Sequence, residues 1–208
     1  MNHFFTFFVP LIICTNVFAQ QKANTEHYTV PVREEQGDLN NDGKMDKIMV
    51  LMDTLNDTRP LKLDVYLSQP NGEVTLAVAT TQLIEPQYPV EKQGKFNGYQ
   101  IPSFFIEDGI LRMWRETKGG NTTYDFNYQN GNFELVRVHV LTNNATKGYI
   151  DESTTFTEIE IDLVTGIRTE TDTLSGSAEI VNKRERTVFI RPLPKLQELH
   201  YSDKKYSR

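Results

Sequence analysis

The sequence predicts an all-β protein made of antiparallel hairpins and meanders, folded as a sandwich or an open barrel. Three observations carry that expectation. Short runs rich in β-branched and aromatic residues recur at a spacing of roughly ten residues, separated by Gly, Asn, Asp and Pro. Inside several of those runs polar and apolar residues alternate with the period of two that a half-buried strand needs. No stretch carries the apolar stripe of an amphipathic helix, and no long repeat of fixed period is present. At 208 residues the chain suits one β domain, or at most two small ones, and a globular chain of this size can bury roughly 70% of its unfolded surface. Its 22 Lys and Arg against 28 Asp and Glu give a net charge of -6. A nucleic-acid binder would show a basic excess, so that class is set aside.

The first element is an address. Residues 1–19 (MNHFFTFFVPLIICTNVFA) contain no Lys, Arg, Asp or Glu. They are almost wholly apolar over 4–13, and Val17 and Ala19 stand three and one residues before Gln20, which is the signal-peptidase pattern. The apolar run is shorter than the about 20 residues of a membrane span, so no transmembrane segment is expected after removal of this leader. An uncleaved N-terminal anchor is the rival reading. Ile13 is too large to precede the cysteine of a lipobox, so Cys14 is not read as a lipid anchor. Cleavage after Ala19 leaves the charge at -6 and removes Cys14, the only cysteine. The mature chain would then have no disulfide, although an exported compartment permits one. The expected location is periplasmic or extracellular. Residues 20–27 are expected to be flexible, 28–194 to form a single β domain, and 195–208 to be a polar C-terminal tail with at most one short helix.

The strands follow in order. Residues 47–52 (KIMVLM) are apolar on both faces and read as a buried central strand. Residues 61–68 (LKLDVYLS) alternate, with Leu61, Leu63, Val65 and Leu67 expected inside and Lys62, Asp64, Tyr66 and Ser68 outside. Asn71-Gly72 supplies the positive φ angles of a tight turn, and 74–80 returns as the partner strand. Pro86, Pro89 and Gly94 mark 82–96 as loop or edge. Residues 104–106 and 110–116 make a hairpin about Asp108-Gly109. The strands 110–116, 122–129 and 133–141 should pair antiparallel in chain order, joined by turns at Gly119-Gly120 and Asn130-Gly131. Residues 154–162 and 167–173 read as a half-exposed hairpin rich in Thr and Glu. Residues 186–191 (RTVFIR) are expected to be the last strand, ended by Pro192 and Pro194.

One motif carries chemistry. Residues 37–46, GDLNNDGKMD, fit D-x-N-x-D-G-x-x-D. A hard cation needs about six to eight oxygens, and alternate side chains of a tight loop converge on one point. Asp38, Asn40 and Asp42 would supply side-chain oxygens, Lys44 its carbonyl, and Asp46 a last carboxylate, directly or through water. Gly43 allows the sharp turn between them. Calcium suits such a set better than magnesium, which prefers a compact octahedron and few protein ligands. The competing reading is an Asx-rich turn without an ion, because Asp, Asn and Gly are ordinary turn residues.

The loop is not an EF-hand, since the twelfth position is Met49 and a strand follows it. Over 37–52, GDLNNDGKMDKIMVLM, it resembles the calcium loop of FG-GAP and VCBS-type repeats, which also leads straight into a strand. That resemblance implies calcium ligands at Asp38, Asn40, Asp42, Lys44 and Asp46. A propeller of that family repeats the loop in several blades and this chain holds one copy, so a full β-propeller is not expected. With RPLKLDVYL and NTTYDFNYQNGNFELV added, the chain is similar to exported bacterial β proteins of unassigned activity that carry one such loop ahead of a β domain.

No catalytic site is marked. His27, His139 and His200 have no metal-ligand spacing, and His3 leaves with the leader. There is no G-x-S-x-G elbow and no cysteine nucleophile in the mature chain. Trp114, the only tryptophan, should share a face with Ile110 and Arg112, opposite Leu111 and Met113. Lone strand aromatics usually belong to the core. Trp114 and Arg112 with Tyr66 form the one candidate platform for a sugar or peptide. The leading expectation is an exported, calcium-binding structural or binding module whose partner is an extracellular or periplasmic protein or glycan. The alternatives are a hydrolase-type enzyme with an unmarked carboxylate site, and a flat-sheet inhibitor or adhesin.

Overall fold

The computed structural model describes residues 27–145, 148–203 and 205–206. The leader and residues 20–26 lie outside the described residues. The described chain is all-β, as expected, with two antiparallel sheets in which strand order follows chain order. The first sheet holds β1 (Tyr28–Gly37), β2 (Asp46–Asp53), β3 (Leu61–Ser68) and β4 (Val74–Thr80). The second holds β5 (Ser103–Glu107), β6 (Ile110–Thr117), β7 (Gly120–Gln129), β8 (Asn132–Asn143), β9 (Thr155–Asp162), β10 (Ile167–Leu174) and β11 (Ile180–Thr187). No ladder closes the two sheets into a barrel among the described residues.

Alternation explains which faces meet. Ile48 and Val50 of β2 and Leu61, Leu63 and Val65 of β3 have no solvent exposure. They share one core with Leu111, Met113, Phe126, Leu135 and Val138 of the second sheet. Where β1 nears β5, Gly37 is the only residue type that fits: a Cβ there would lie 2.5 Å from Ile106 Cγ2. The meander β6–β7–β8 has the expected order and pairing, with Leu111 opposite Phe126 and Tyr124 opposite Val138.

Four expectations need correction. Asp64 does not face solvent. It is 3% exposed, covered on its own strand by Lys62 (Nζ to Oδ1 3.4 Å) and Tyr66 (Oη to Oδ2 3.3 Å). The last strand is Ile180–Thr187, not 186–191. Thr187 pairs with Ile167, the first residue of β10, so the ladder ends there and Val188 N–H donates instead to the Gly166 carbonyl. All eight residues of β11 are exposed, so no apolar face announces it. The segment from Lys195 is not a polar tail: Leu196, Leu199 and Tyr206 are buried and belong to the core, and Leu196–Glu198 form a short 3-10 turn. Finally, β1 precedes the Asp-rich loop and makes it a hairpin connection. Pro31 and the run Arg33-Glu34-Glu35-Gln36 hide that strand from a period-two reading.

Candidate functional site

The loop between β1 and β2 folds over its own amides. Asp38 accepts from Asp42 N–H on Oδ1 (3.1 Å) and from Gly43 N–H on Oδ2 (2.7 Å). Asn40 Oδ1 accepts from Asp42 N–H (3.1 Å), and Asp42 Oδ1 from Lys44 N–H (2.9 Å). Asn41 and Gly43 take positive φ, 57° and 81°, and this tightens the turn. Each of these oxygens keeps a second lone pair, so Asp38, Asn40, Asp42 and the Lys44 carbonyl remain available to a hard cation.

Asp46 has a different position. It is 1% exposed. Its Oδ2 accepts from Leu39 N–H and its Oδ1 from Ser68 N–H, both at 2.8 Å. The carboxylate therefore ties the loop to the end of β3. Among the described residues no group of three or more His, Cys, Asp or Glu side chains is placed to share a metal. A cation here would draw on the side chains of Asp38, Asn40 and Asp42 and the Lys44 carbonyl, whereas both Asp46 oxygens serve the Leu39 and Ser68 amides and brace the loop.

The expected platform is divided. Leu111 and Met113 are buried while Arg112 and Trp114 are partly exposed, as alternation predicts. Arg112 clamps Asp125 through Nε (2.8 Å) and Nη2 (3.1 Å) and reaches Glu107 (3.3 Å). The Asp125 hydrogen bonds raise the guanidinium pKa above its ordinary value. Tyr66 belongs to the other sheet, with β2, β1 and β5 between it and β6 even where the sheet edges adjoin. Tyr66 and the pair Trp114 and Arg112 therefore stand on different sheets. Burial, and then the nearby Asp64, push its phenol pKa up.

The structure assembles a cleft that the sequence did not announce. It has a volume of about 320 Å³ and lies between loop 81–102, the end of β6 and residues 201–203. Leu83 and Ile84, 4% and 3% exposed, form its floor, and Tyr99, Pro102 and Tyr201 stand around it. Asn97 locks the loop: its N–H donates to Gln87 O (2.9 Å), its side-chain amide to Pro86 O (2.9 Å), and its Oδ1 accepts from Tyr99 N–H (2.8 Å). Lys92 donates to Asn97 O (2.7 Å) and lies 5.3 Å from the Tyr99 ring centre. Arg115 ties the C-terminal segment down, with Nη1 on Tyr201 O (3.0 Å) and Nη2 on Tyr124 Oη (2.7 Å). Burial raises the Tyr124 pKa and the Arg115 charge opposes the rise. Burial also raises Tyr201, reinforced by Glu91 and Glu85. Sequence reasoning could have found only the tyrosines here, because the walls come from three distant segments.

The acids of the cleft are tied to structural donors. Glu85 faces Lys92 (3.5 Å), Glu116 accepts from Gln100 N–H (3.3 Å), and Asp203 accepts from His200 N–H (2.9 Å). His200 Nδ1 lies 3.2 Å from the Ser202 N–H and 2.7 Å from the Ser202 hydroxyl. Asp203 thus holds the backbone of His200 and not its ring, so no nucleophile–base–acid relay is formed. No family model matches this chain, and neither the curated proteins nor the solved structures contain a significant match to it.

Proposed function

We propose that the protein is an exported, non-catalytic binding module. It takes a small ligand, the size of a sugar unit or a short peptide end, in the cleft between loop 81–102 and residues 201–203. The observation that carries this reading is the cleft itself: an apolar floor, two tyrosines and a polar rim, at the lower end of the size range for small-molecule sites, about 300 to 1,000 Å³. Tyrosine rings offer an apolar face to a sugar or side chain and a hydroxyl to its polar groups. The charge-free leader supports export, and loop 38–46 takes calcium as a brace of the first hairpin. That loop retains the calcium-loop likeness to FG-GAP and VCBS-type repeats.

The hydrolase alternative would use the same cleft. The binding reading is preferred because Glu85, Glu116 and Asp203 each serve a structural donor. The test is a glycan and peptide array on the mature chain, followed by calorimetry on each hit. Tyr99→Ala and Tyr201→Ala should each abolish binding while leaving the fold intact, and Trp114→Ala should leave binding unchanged. Loss of binding in Trp114→Ala alone would move recognition to the outer face of the second sheet. Turnover of a hit by the parent would replace the binding reading with the enzyme.

A further inference from the structure

The far end of the second sheet carries a feature that neither the cleft nor the loop uses. β10 and β11 pair so that Arg168 faces Arg186, Glu170 faces Arg184, and Asp172 faces Asn182. On its other side Arg168 pairs with Ile161, a core residue, so these side chains continue the inner face of the sheet. Arg168 is 5% exposed. Its Nη2 donates to Glu170 (3.3 Å), and its Nε is buried without a hydrogen-bond partner. Arg184 pairs with the other Glu170 oxygen and lies 3.5 Å from Asp172. Arg186 has no hydrogen bond or ion pair among the described residues. These four residues, Arg168, Glu170, Arg184 and Arg186, line a cleft of about 160 Å³.

The charge balance is unusual for this chain. Three guanidiniums against the Glu170 carboxylate leave +2 among the lining residues, and Asp172, 3.5 Å from Arg184, reduces this to +1, within a protein of net charge -6. Like charges directly opposite on paired strands are destabilising. A buried guanidinium donor without an acceptor adds a desolvation cost. One anion between Arg168 and Arg186 relieves the first and offsets the charge that the second leaves buried. The guanidinium fork matches the oxygens of phosphate or sulfate, two at a time. The cleft has space for one such group and a few waters, each about 30 Å³ in the liquid.

We propose that this cleft binds a single tetrahedral oxyanion, a phosphate or sulfate group, between Arg168 and Arg186. Glu170 holds Arg184 beside them. The group is either free or carried as a monoester on a larger molecule.

Calorimetry on the mature chain tests this, with inorganic phosphate, inorganic sulfate and phosphoserine, each against chloride at equal ionic strength. The expected result is saturable one-to-one binding that chloride does not reproduce. Arg186→Gln, an exposed change that spares the fold, should weaken it about tenfold, the loss of one or two charge-assisted hydrogen bonds. Lys183→Gln, three residues from Arg186 and on the opposite face of β11, should leave binding unchanged. Tighter binding of phosphoserine than of inorganic phosphate would support an esterified source, and equal binding a free anion. Absence of saturable binding in the parent would overturn the proposal. So would equal weakening by Lys183→Gln and Arg186→Gln, since that marks general attraction and not a site.

Discussion

Asp46 and Arg168 are both charged and both nearly sealed from solvent, at 1% and 5% exposure, yet their surroundings treat them in opposite ways. Asp46 stands where the first loop enters β2, and each of its oxygens accepts a backbone N–H at 2.8 Å. Arg168 stands near the end of the second sheet with one long bond to Glu170 and a buried Nε that meets nothing. A buried charge is tolerated when hydrogen bonds replace its lost hydration. Asp46 is therefore a staple. Arg168 is a buried charge whose hydration the chain replaces only in part.

The largest test of this contrast removes the staple. Asp46→Ala orphans two buried amides, and at about 1 to 3 kcal/mol each the loss should be about 3 to 4 kcal/mol. For a chain of this length that lowers Tm by about 10 °C, read by calorimetry or circular dichroism. A fall under about 3 °C would mean that water replaces the carboxylate and that Asp46 is no staple.

The loop in front of Asp46 should respond to calcium and not to mutation alone. Extracellular sites bind with Kd of about 0.1 to 1 mM. At about 1 mM calcium and a Kd of about 0.1 mM, linkage gives about 1.4 kcal/mol. Melting temperature should rise by about 3 to 6 °C relative to chelator. Asp42→Ala should abolish the shift, and Asp57→Ala, exposed in the β2–β3 turn, should keep it. Equal melting of the parent in both buffers would reduce the loop to a plain turn.

At the other pole, Arg168→Met should be nearly silent for stability. The apolar side chain fills similar volume and removes the unpartnered Nε, while Glu170 retains Arg184. Exchange of a buried ion for an apolar group of like size is often neutral or stabilising. The expected change in Tm is within about 3 °C, in contrast to Asp46→Ala. A loss as large as that of Asp46→Ala would make Arg168 a structural brace.

The smallest effect is in acid. Hydrogen bonds from Thr157 and then Asn182, with the Arg184 charge, hold the Asp172 carboxyl below its ordinary 3.8. A carboxylate depressed in the fold stabilises above its unfolded pKa, and that contribution fades as pH falls through the folded value. The parent should therefore lose stability below about pH 4 more steeply than Asp172→Asn, as seen in urea melts at stepped pH. Parallel acid slopes for the two proteins would remove Asp172 from the account.

Much of the architecture was legible because its signals are local. Leu61, Leu63, Val65 and Leu67 face inward as their alternation requires, and the turns at Gly72, Gly109 and Gly131 stand where their positive φ angles permit them. The same rule misplaced Asp64, whose shielding comes from Lys62 and Tyr66 leaning over it on the same strand. It also missed β11, because an edge strand with every residue exposed has no apolar face to show. Within the loop, Asp38, Asn40 and Asp42 were legible as oxygen donors. The bracing role of Asp46 was not, because one of its donors, Ser68, is 22 positions away.

By itself, then, the sequence determined the class of the protein, the hairpin order of its meander and the Asp-rich loop, since period-two patterning and turn chemistry act over a few residues. Only the tertiary structure decided where the clefts form. Arg115 holds Tyr201 across 86 positions to frame one cleft, and the pairing of β10 with β11 sets Arg168 against Arg186 in the other. Register and chain return are settled by which apolar faces can be buried together. No spacing within a single segment encodes the neighbours that such burial brings.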